Sequence, residues 1–582
     1  MKTFSRLLQV MQSQEYVINF LIVIGYPMLF MTYGLDFTDG PWNVRMSQMP
    51  GNFMPYWLTA ETGYYWVSVF GDSMISYRWL NYILIELIFF IFCFSFFHNK
   101  DKRWFSRYAV VAMILTVRTM VNNFNYTTST VLCLSVLFIC LIKFVNTKKS
   151  ICLVIAGFIS VLAMAARFPN IVIIPAFLML LGIFVFLKQL KYHDPGKNKF
   201  LIMIRLWSVY LGACLLTFAI FSIFVFPCHN YFAKIFESLN SYAHSEKYHS
   251  LNHMLTAYGR DIIVIIKFLA ILLFMNVLFG FVAKYVKINK LLAGFVFAGL
   301  YIFILIKVSA TNTNFGYNLN LTAVTLFIIS FLFYHFYRQE KYVHLFLLIA
   351  LTIFMFIPAI GSNTGFIKCK AFASIIIIFL LYWLSREKAI ARVQQFFFTM
   401  VMLALISHAL YCRFSWAYGE SQGMGQFSYT INHEKLRSIR TSCYRKELAE
   451  KIIQEVNILT SHHNDIVFFG PGGQMFYYLL EKQSLPDQLF YLEPDDRVVI
   501  KQLKAVLAGG KEHPAVAILY GNPDLDSWPQ NLYEPGDHAA KAYVERSKNL
   551  IGLLSENSYR KVIDDKAFLF MAYDSMRCLQ RN

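Results

Sequence analysis

Two aspartates lie close together directly after the first apolar run of the chain. Asp36 and Asp39 are separated by two residues within the segment 34–42, which also contains Gly40 and Pro41. A carboxylate at the edge of a bilayer costs free energy, and a positioned carboxylate can act as a general base. The pair therefore predicts chemistry at a membrane surface, with helix capping as the structural alternative.

Several cations are placed where the chain turns back into apolar sequence. Arginine binds phosphate through paired hydrogen bonds, whereas a cation in this position can also simply extend to the lipid headgroups. The cations in such turns that form a candidate phosphate site are Arg167, Lys368 and Lys370, and Arg118, inside an apolar run, is a further candidate. They predict that an anionic group reaches this side of the membrane.

Uncharged hydrogen-bonding and aromatic side chains in two further segments are typical of a sugar site. The segment 122–128 is uncharged and rich in Asn, Thr and Tyr, and the segment 227–261 is rich in His and Tyr. The histidines include only one pair at helical i,i+4 spacing, so they do not favour a metal site. The candidates of these two segments for binding the acceptor or the sugar are Asn125, Tyr126, His249 and His253. Glu61, in the segment that follows the two aspartates, is added as a further acid without a motif of its own.

Composition identifies the class of protein. Apolar residues make up 57% of the chain, charged residues 15%, and the mean hydropathy is +0.48. A soluble domain has about one-quarter charged residues. The formal net charge of +19 is explained by basic residues in cytoplasmic loops, so we expect no nucleic-acid partner. The chain is predicted to be an α-helical polytopic membrane protein.

The apolar runs have about the length that crosses a hydrocarbon core, roughly 16–24 residues. They predict about thirteen spans, the first of which is read as a retained anchor. If the N-terminus is cytoplasmic, most Lys and Arg of the loops fall inside. An odd number of spans then places the C-terminal region and the two aspartates outside. The predicted spans are 17–34, 78–97, 108–121, 129–145, 151–165, 171–187, 203–226, 262–283, 291–308, 319–337, 343–360, 371–385 and 396–411.

The region from 412 to 582 differs from the membrane domain, residues 1–411, because charged residues become more frequent and long apolar runs stop. Strands alternating with helices predict a small extracytoplasmic α/β domain. The glycines at 470–473 lack the Lys-Ser/Thr of a phosphate loop and are predicted to form a tight turn. The predicted elements are an amphipathic helix at 433–460, strands at 466–469 and 515–520, a helix at 538–555 and a strand at 567–572.

The long first outer segment, residues 35–77, is rich in Tyr and Trp. Such a segment is expected to lie in the membrane interface rather than to cross the bilayer. The residues predicted to share one helical face are Phe53, Tyr56, Trp57, Ala60, Tyr64 and Val67.

This segment resembles the polyprenyl-phosphate-dependent glycosyltransferases of the GT-C superfamily, which include the protein O-mannosyltransferases and the aminoarabinose transferases of lipid A. The resemblance rests on the acidic motif Asp36–Asp39, the aromatic stretch Tyr64–Gly71, the segment Ser76–Arg78 and the outer-loop segment Phe124–Tyr126. The arrangement of spans and domains resembles that of the family over the whole chain. The residues that match lie mainly in the first loop. Many members have Glu where Gly40 stands, so which aspartate is catalytic stays open.

The resemblance implies an inverting transfer of a sugar from a polyprenyl-phosphate donor to a hydroxyl of a glycan, lipid or protein acceptor. It implies that an aspartate accepts the hydroxyl proton and that cations hold the phosphate. Mannosyl and aminoarabinosyl members are not thought to need a catalytic metal, whereas oligosaccharyltransferase relatives do. The implied location is the inner membrane of a bacterium, in contact with membrane lipids.

Two other functions remain open from the sequence. A transporter or flippase of lipid-linked or small polar substrates would have acids facing an aqueous path near the middle of the bilayer. A non-catalytic membrane scaffold would use the C-terminal region as a binding module. The aspartates favour the transferase because they lie in an outer loop and not in a span.

Overall fold

A computed structural model describes most of the chain. The residues described are 2–36, 39–96, 102–119, 123–192, 199–224, 230–236, 251–285, 290–311, 315–362, 364–387, 390–415, 424–459, 466–469, 473–481, 504, 515–519, 548, 550–564 and 568–573.

The part before residue 416 is mostly helical in the described ranges. Its helices are α1 (Lys2–Met28), α2 (Asp39–Gln48), α3 (Trp57–Phe70), α4 (Met74–Phe96), α5 (Lys102–Thr119), α6 (Tyr126–Thr147), α7 (Ile151–Ala166), α8 (Ile173–Tyr192), α9 (Lys199–Phe224), α10 (Leu251–Tyr285), α11 (Lys290–Thr311), α12 (Phe315–Arg338), α13 (Tyr342–Phe356), α14 (Lys370–Arg386) and α15 (Arg392–Ser415).

Within the described residues, nine helices are long and apolar enough to cross a membrane. Three shorter apolar helical stretches add to them, at Ser106–Val117, Ile151–Ala166 and Leu291–Lys307. This is the structure of an α-helical, multi-pass membrane protein. A helix overlaps each of the thirteen predicted spans, although α1 and α10 begin well before their predicted starts because their polar first turns remain helical.

Close contacts between apolar side chains hold the helices together. The ring of Phe379 in α14 lies 5.1 Å from that of Phe92 in α4 and 5.2 Å from that of Phe138 in α6, both edge to face, which is a favourable aromatic geometry. Where α7 meets α9, a Cβ added to Gly157 would lie 2.7 Å from the Cβ of Ala213. A small residue is therefore needed where these two helices approach each other.

The first outer segment contains two α-helices, α2 and α3, and the predicted helical face at 53–67 falls mainly on α3. Two 3₁₀ turns, Pro50–Asn52 and Met54–Tyr56, precede α3. Each has a proline in its first two positions, and proline there sets the local turn but cannot continue a helix. The buried face of α3 contains Trp57, Ala60 and Gly63.

One residue of the predicted face is placed differently. Tyr64 is 44% exposed, whereas Trp57 and Ala60 of the same predicted face are buried. The buried face follows Gly63 because this glycine packs closely against α2.

Among its described residues, the C-terminal region has a helical stretch at 550–556 besides two further helices and six strands. They are β1 (Tyr429–Thr430), β2 (Arg440–Thr441), α16 (Cys443–Leu459), β3 (Ile466–Phe469), α17 (Gly473–Leu480), β4 (Ala515–Leu519), β5 (Tyr559–Asp564) and β6 (Phe568–Tyr573). Four strands form a sheet in the order β3-β4-β6-β5, with β3 and β4 parallel and the other pairs antiparallel.

The strands predicted near 466, 515 and 567 are confirmed, and two other assignments need correction. The helix predicted over 433–460 begins only at Cys443, because residues 440–441 pair with β1 and with Tyr33 instead. β5 was not predicted from the sequence; it is a charged strand at the edge of the sheet. Edge strands often carry such charges and therefore lack a clear apolar alternation. The predicted turn at 470–472 and most of the predicted helix at 538–555 lie outside the described residues.

One hydrophobic core joins the C-terminal region to the first outer segment. Leu35, Val44, Met74 and Tyr77 are buried in the same cluster as the residues of β3, β4, β6, α16 and α17. The packing therefore crosses the predicted domain boundary at 411/412 and places the C-terminal region against the loop that carries Asp36.

Candidate functional site

The acidic loop, residues 31–36 and the start of α2, is closely packed. Asp36 is buried, and its Oδ2 accepts the backbone N–H of Gly40 at 2.5 Å. A Cβ added to Gly40 would lie 2.7 Å from Nδ2 of Asn123 and 3.3 Å from Oδ2 of Asp36. Glycine is therefore required for these polar groups to approach the backbone of α2. Asp39 is the first residue of α2, but its side chain lies outside the described set.

Arg78, at the start of α4, binds the backbone of this loop. Its buried guanidinium donates to the carbonyl oxygens of Met31 at 2.6 Å, Tyr33 at 3.3 Å and Gly34 at 2.5 Å. Its Nε also donates to Oδ1 of Asn123 at 3.1 Å. A guanidinium offers five donors in a fixed plane, which suits it to bind several carbonyls at once.

The C-terminal region also binds the backbone of this loop. The N–H of Arg440 donates to the carbonyl of Thr32 at 2.7 Å, and its carbonyl accepts the N–H of Gly34 at 2.9 Å. The buried side chain of Arg445 donates to the carbonyl of Leu35. Each carbonyl from residue 31 to residue 35 therefore accepts a hydrogen bond from outside the loop. The backbone leading to Asp36 is held in one conformation by two separate parts of the chain.

A second polar cluster ties the end of α2 to the C-terminal region. The carboxylate of Asp72 accepts from Gln48 Nε2 at 2.7 Å and from the hydroxyl of Tyr77 at 2.9 Å, and Lys435 Nζ lies 3.1 Å from it. Burial lowers the pKa of the nearby Arg45, an effect that the charge of Asp72 opposes. The cluster fixes the position of α2 relative to the loop.

Two of the predicted phosphate-binding cations lie beside one aromatic ring. Cζ of Arg167 is 5.6 Å and Nζ of Lys368 is 5.7 Å from the ring centroid of Tyr126, within the usual range of a cation–π contact. The same ring packs 4.8 Å from Tyr56 and 6.0 Å from Trp42 of α2. Three segments far apart in sequence therefore meet at the ring of Tyr126.

The buried guanidinium of Arg167 uses only part of its hydrogen-bonding capacity. It donates from Nη1 to the carbonyl of Pro358 at 3.2 Å and from Nη2 to that of Ile360 at 2.8 Å, which leaves three of its five N–H groups. Among the described residues, neither Arg167 nor Lys368 has a carboxylate within ion-pair distance. Two cations without a nearby anion are suited to bind a phosphate.

The residues predicted to contact sugar include two with clear structural contacts. Oδ1 of Asn125 caps α6 by accepting the N–H groups of Thr127 and Thr128, and its Nδ2 donates to the carbonyl of Asn123. Glu61, on α3, accepts from Trp57 Nε1 at 3.2 Å. Their roles in sugar binding stay predictions.

For the remaining predicted residues, the structure gives at most the element in which each one lies. Lys370 is the first residue of α14, and His253 is a half-buried residue in the first turn of α10. Arg118 belongs to α5 with its side chain outside the described set, and His249 lies outside it altogether. No group of three or more His, Cys, Asp or Glu side chains that could hold a metal occurs within the part of the chain that the structure describes.

Several residues of the site were not found from the sequence. Asn123, Trp42 and Arg445 have no motif of their own, because their roles depend on contacts across distant segments. Arg78 belongs to the segment Ser76–Arg78, which was noted from the sequence. Its place at the start of an apolar helix could have marked it as a structural cation.

A comparison of the chain with models of known protein families gives no match, and a comparison with curated proteins gives none either.

Proposed function

We propose that the chain is an integral membrane glycosyltransferase that uses a polyprenyl-phosphate-linked sugar. It transfers the sugar to a hydroxyl of a glycan, lipid or protein acceptor at the outer face of the membrane. The proposal includes thirteen spans, a cytoplasmic N-terminus, an outer α/β domain and a location in a bacterial inner membrane. It includes no resident cofactor or metal.

The observation that carries the proposal is the arrangement around Tyr126. Arg167 and Lys368 both lie within 6 Å of its ring and have no carboxylate partner among the described residues. Trp42 contacts the same ring and belongs to the helix that begins at Asp39. The two cations and the helix that begins at Asp39 thus meet at one ring, which supports a transfer from a lipid phosphate.

The chemistry follows from these positions. The acceptor oxygen forms a bond to C1 of the sugar from the face opposite the phosphate, and the bond from C1 to the phosphate oxygen breaks. The hydroxyl proton passes to Asp39, or to Asp36 as the alternative general base. The electron pair of the broken bond stays on the phosphate, where Arg167 and Lys368 stabilise its charge in a site with little water.

Binding of a polyprenyl monophosphate in lipid nanodiscs tests the proposal. A hydrogen bond to a charged group contributes about 1.5–3 kcal/mol, so Arg167→Gln and Lys368→Gln should each weaken binding by about 10- to 100-fold. Lys446→Gln removes one positive charge from the exposed side of α16, paired there with Glu450, and should leave binding unchanged. Equal affinity of all three variants and the wild type would overturn the phosphate site.

A transporter is the second candidate, and one observation favours it. Glu86 is half-buried within the span Met74–Phe92, and acids inside spans often mark transport pathways. The two proposed functions, transferase and transporter, predict different effects of Glu86→Gln. A carrier would lose movement of a labelled lipid-linked sugar across vesicles, whereas the transferase would keep sugar transfer.

A further inference from the structure

The loop between α13 and α14, residues 357–369, brings both cations to Tyr126. It carries Lys368 itself and presents the carbonyls of Pro358 and Ile360 to Arg167. It is built from two 3₁₀ turns, Ile357–Ala359 and Gly365–Cys369. Such short turns make few hydrogen bonds of their own, so their position depends on contacts from neighbouring helices.

Two side chains of α10, one turn apart, supply those contacts. The hydroxyl of Tyr258 donates to the carbonyl of Ala359 at 2.5 Å, and its ring packs 4.9 Å from Phe366. Oδ2 of Asp261 accepts the N–H of Phe366 at 2.8 Å. Tyr258 therefore holds the first 3₁₀ turn and Asp261 the second.

The fit at Asp261 is close. The carboxylate is fully buried, and its other oxygen, Oδ1, lies 3.4 Å from Nε of the half-exposed Arg260. Gly365 has a φ of +65°, and a Cβ there would lie 2.3 Å from Oδ2 of Asp261. The chain therefore has a glycine where both the backbone conformation and the carboxylate require one.

We propose that Asp261 is a positioning residue for the phosphate site. By accepting the N–H of Phe366 in the turn Gly365–Cys369, it fixes the position of Lys368 beside Tyr126 without touching the substrate. This inference rests on the proposed function, because it assigns Asp261 an effect on donor binding. It goes beyond that function because a residue of α10, which is not one of the two cations, then affects how strongly the donor binds.

The test combines an exchange measurement with a double-mutant cycle on the full chain in nanodiscs. In Asp261→Ala, amide hydrogen exchange of the peptide containing residues 364–369 should accelerate, because the N–H of Phe366 loses its acceptor. The affinity for a polyprenyl monophosphate should fall about tenfold, within the range of a lost hydrogen bond to a charged group. Asp261→Asn keeps an acceptor oxygen and should have a smaller effect on both measurements.

The double variant Asp261→Ala/Lys368→Gln should bind no more weakly than Lys368→Gln alone, because the two residues act through one cation. Arg260→Gln is the matched control, since it removes the exposed partner and leaves the bond to Phe366. Unchanged exchange in Asp261→Ala would overturn the inference. So would faster exchange with unchanged affinity, or fully additive losses. Absence of binding by the wild type would instead reject the proposed function and, with it, the role of Asp261.

Discussion

At the scale of single residues, the two aspartates have different environments. One oxygen of Asp36 is engaged by the N–H of Gly40 at the start of α2, where a negative charge is favourable because the N-terminus of a helix carries partial positive charge. This contact accounts for burial of Asp36 without any catalytic role. Asp39 stands at the first position of α2 and remains the expected general base.

Replacing each aspartate by asparagine separates the two roles. Asp39→Asn should lower sugar transfer by about 100- to 10,000-fold, the usual contribution of a positioned general base. Asp36→Asn should lower it less, because asparagine caps a helix about as well as aspartate. The measurement is transfer rate at equal expression. Normal transfer by both variants would leave the proposed enzyme without a base.

At the scale of elements, the position of α2 is set by its contact with α3. A Cβ added to Gly63 of α3 would lie 1.9 Å from Oγ and 2.6 Å from Cβ of Ser47 of α2. No side-chain rotation removes a clash with Cβ, so the two helices can approach this closely only at a glycine. Since α2 carries both Asp39 and Trp42, this packing also fixes the acid relative to Tyr126.

Gly63→Ala should destabilise the protein by about 1–3 kcal/mol, the usual effect of overpacking, and should also weaken binding of the lipid phosphate. Ser47→Gly in the same chain should restore both properties, because it removes the atoms in conflict. Thermal unfolding in detergent measures the first effect. Gly212→Ala is the control, because a Cβ there meets no atom within 4 Å. If Gly63→Ala were as stable as that control, α2 and α3 would not pack as described.

At the scale of the whole molecule, the C-terminal region and the acidic loop lie on the same side of the helices. Tyr33 forms a bridge with Arg440, and both parts share one core. The chain leaves that loop through α4 and reaches the C-terminal region after α15. Because the loop and the C-terminal region lie on the same side, the chain must cross the membrane an even number of times between them. This agrees with the twelve spans predicted from α4 to α15.

This arrangement gives a prediction of topology. With the N-terminus inside, a reporter that works only in the cytoplasm should be silent when fused after Asn582. The same reporter fused after Lys149, in a predicted inner loop, should be active. Activity after Asn582 would mean that the number of spans or their direction is wrong.

The sequence alone determined the class of this protein and most of its helices. Apolar runs are a local property, because a helix in lipid must be apolar along its own length. The runs ending near Arg167 and beginning near Lys370 are therefore found correctly. The strands near 466 and 515 were equally accessible, because a buried strand is a short continuous apolar run.

Only the tertiary structure decided which residues of the candidate site meet. Arg167 and the carbonyl that it binds at Ile360 are 193 positions apart, and Arg445 reaches Leu35 across 410. No periodicity or spacing reports such contacts, because they depend on how separate helices pack. For the same reason, the sequence does not reveal that Asn125 caps the start of α6 or that Asp36 accepts the N–H of Gly40.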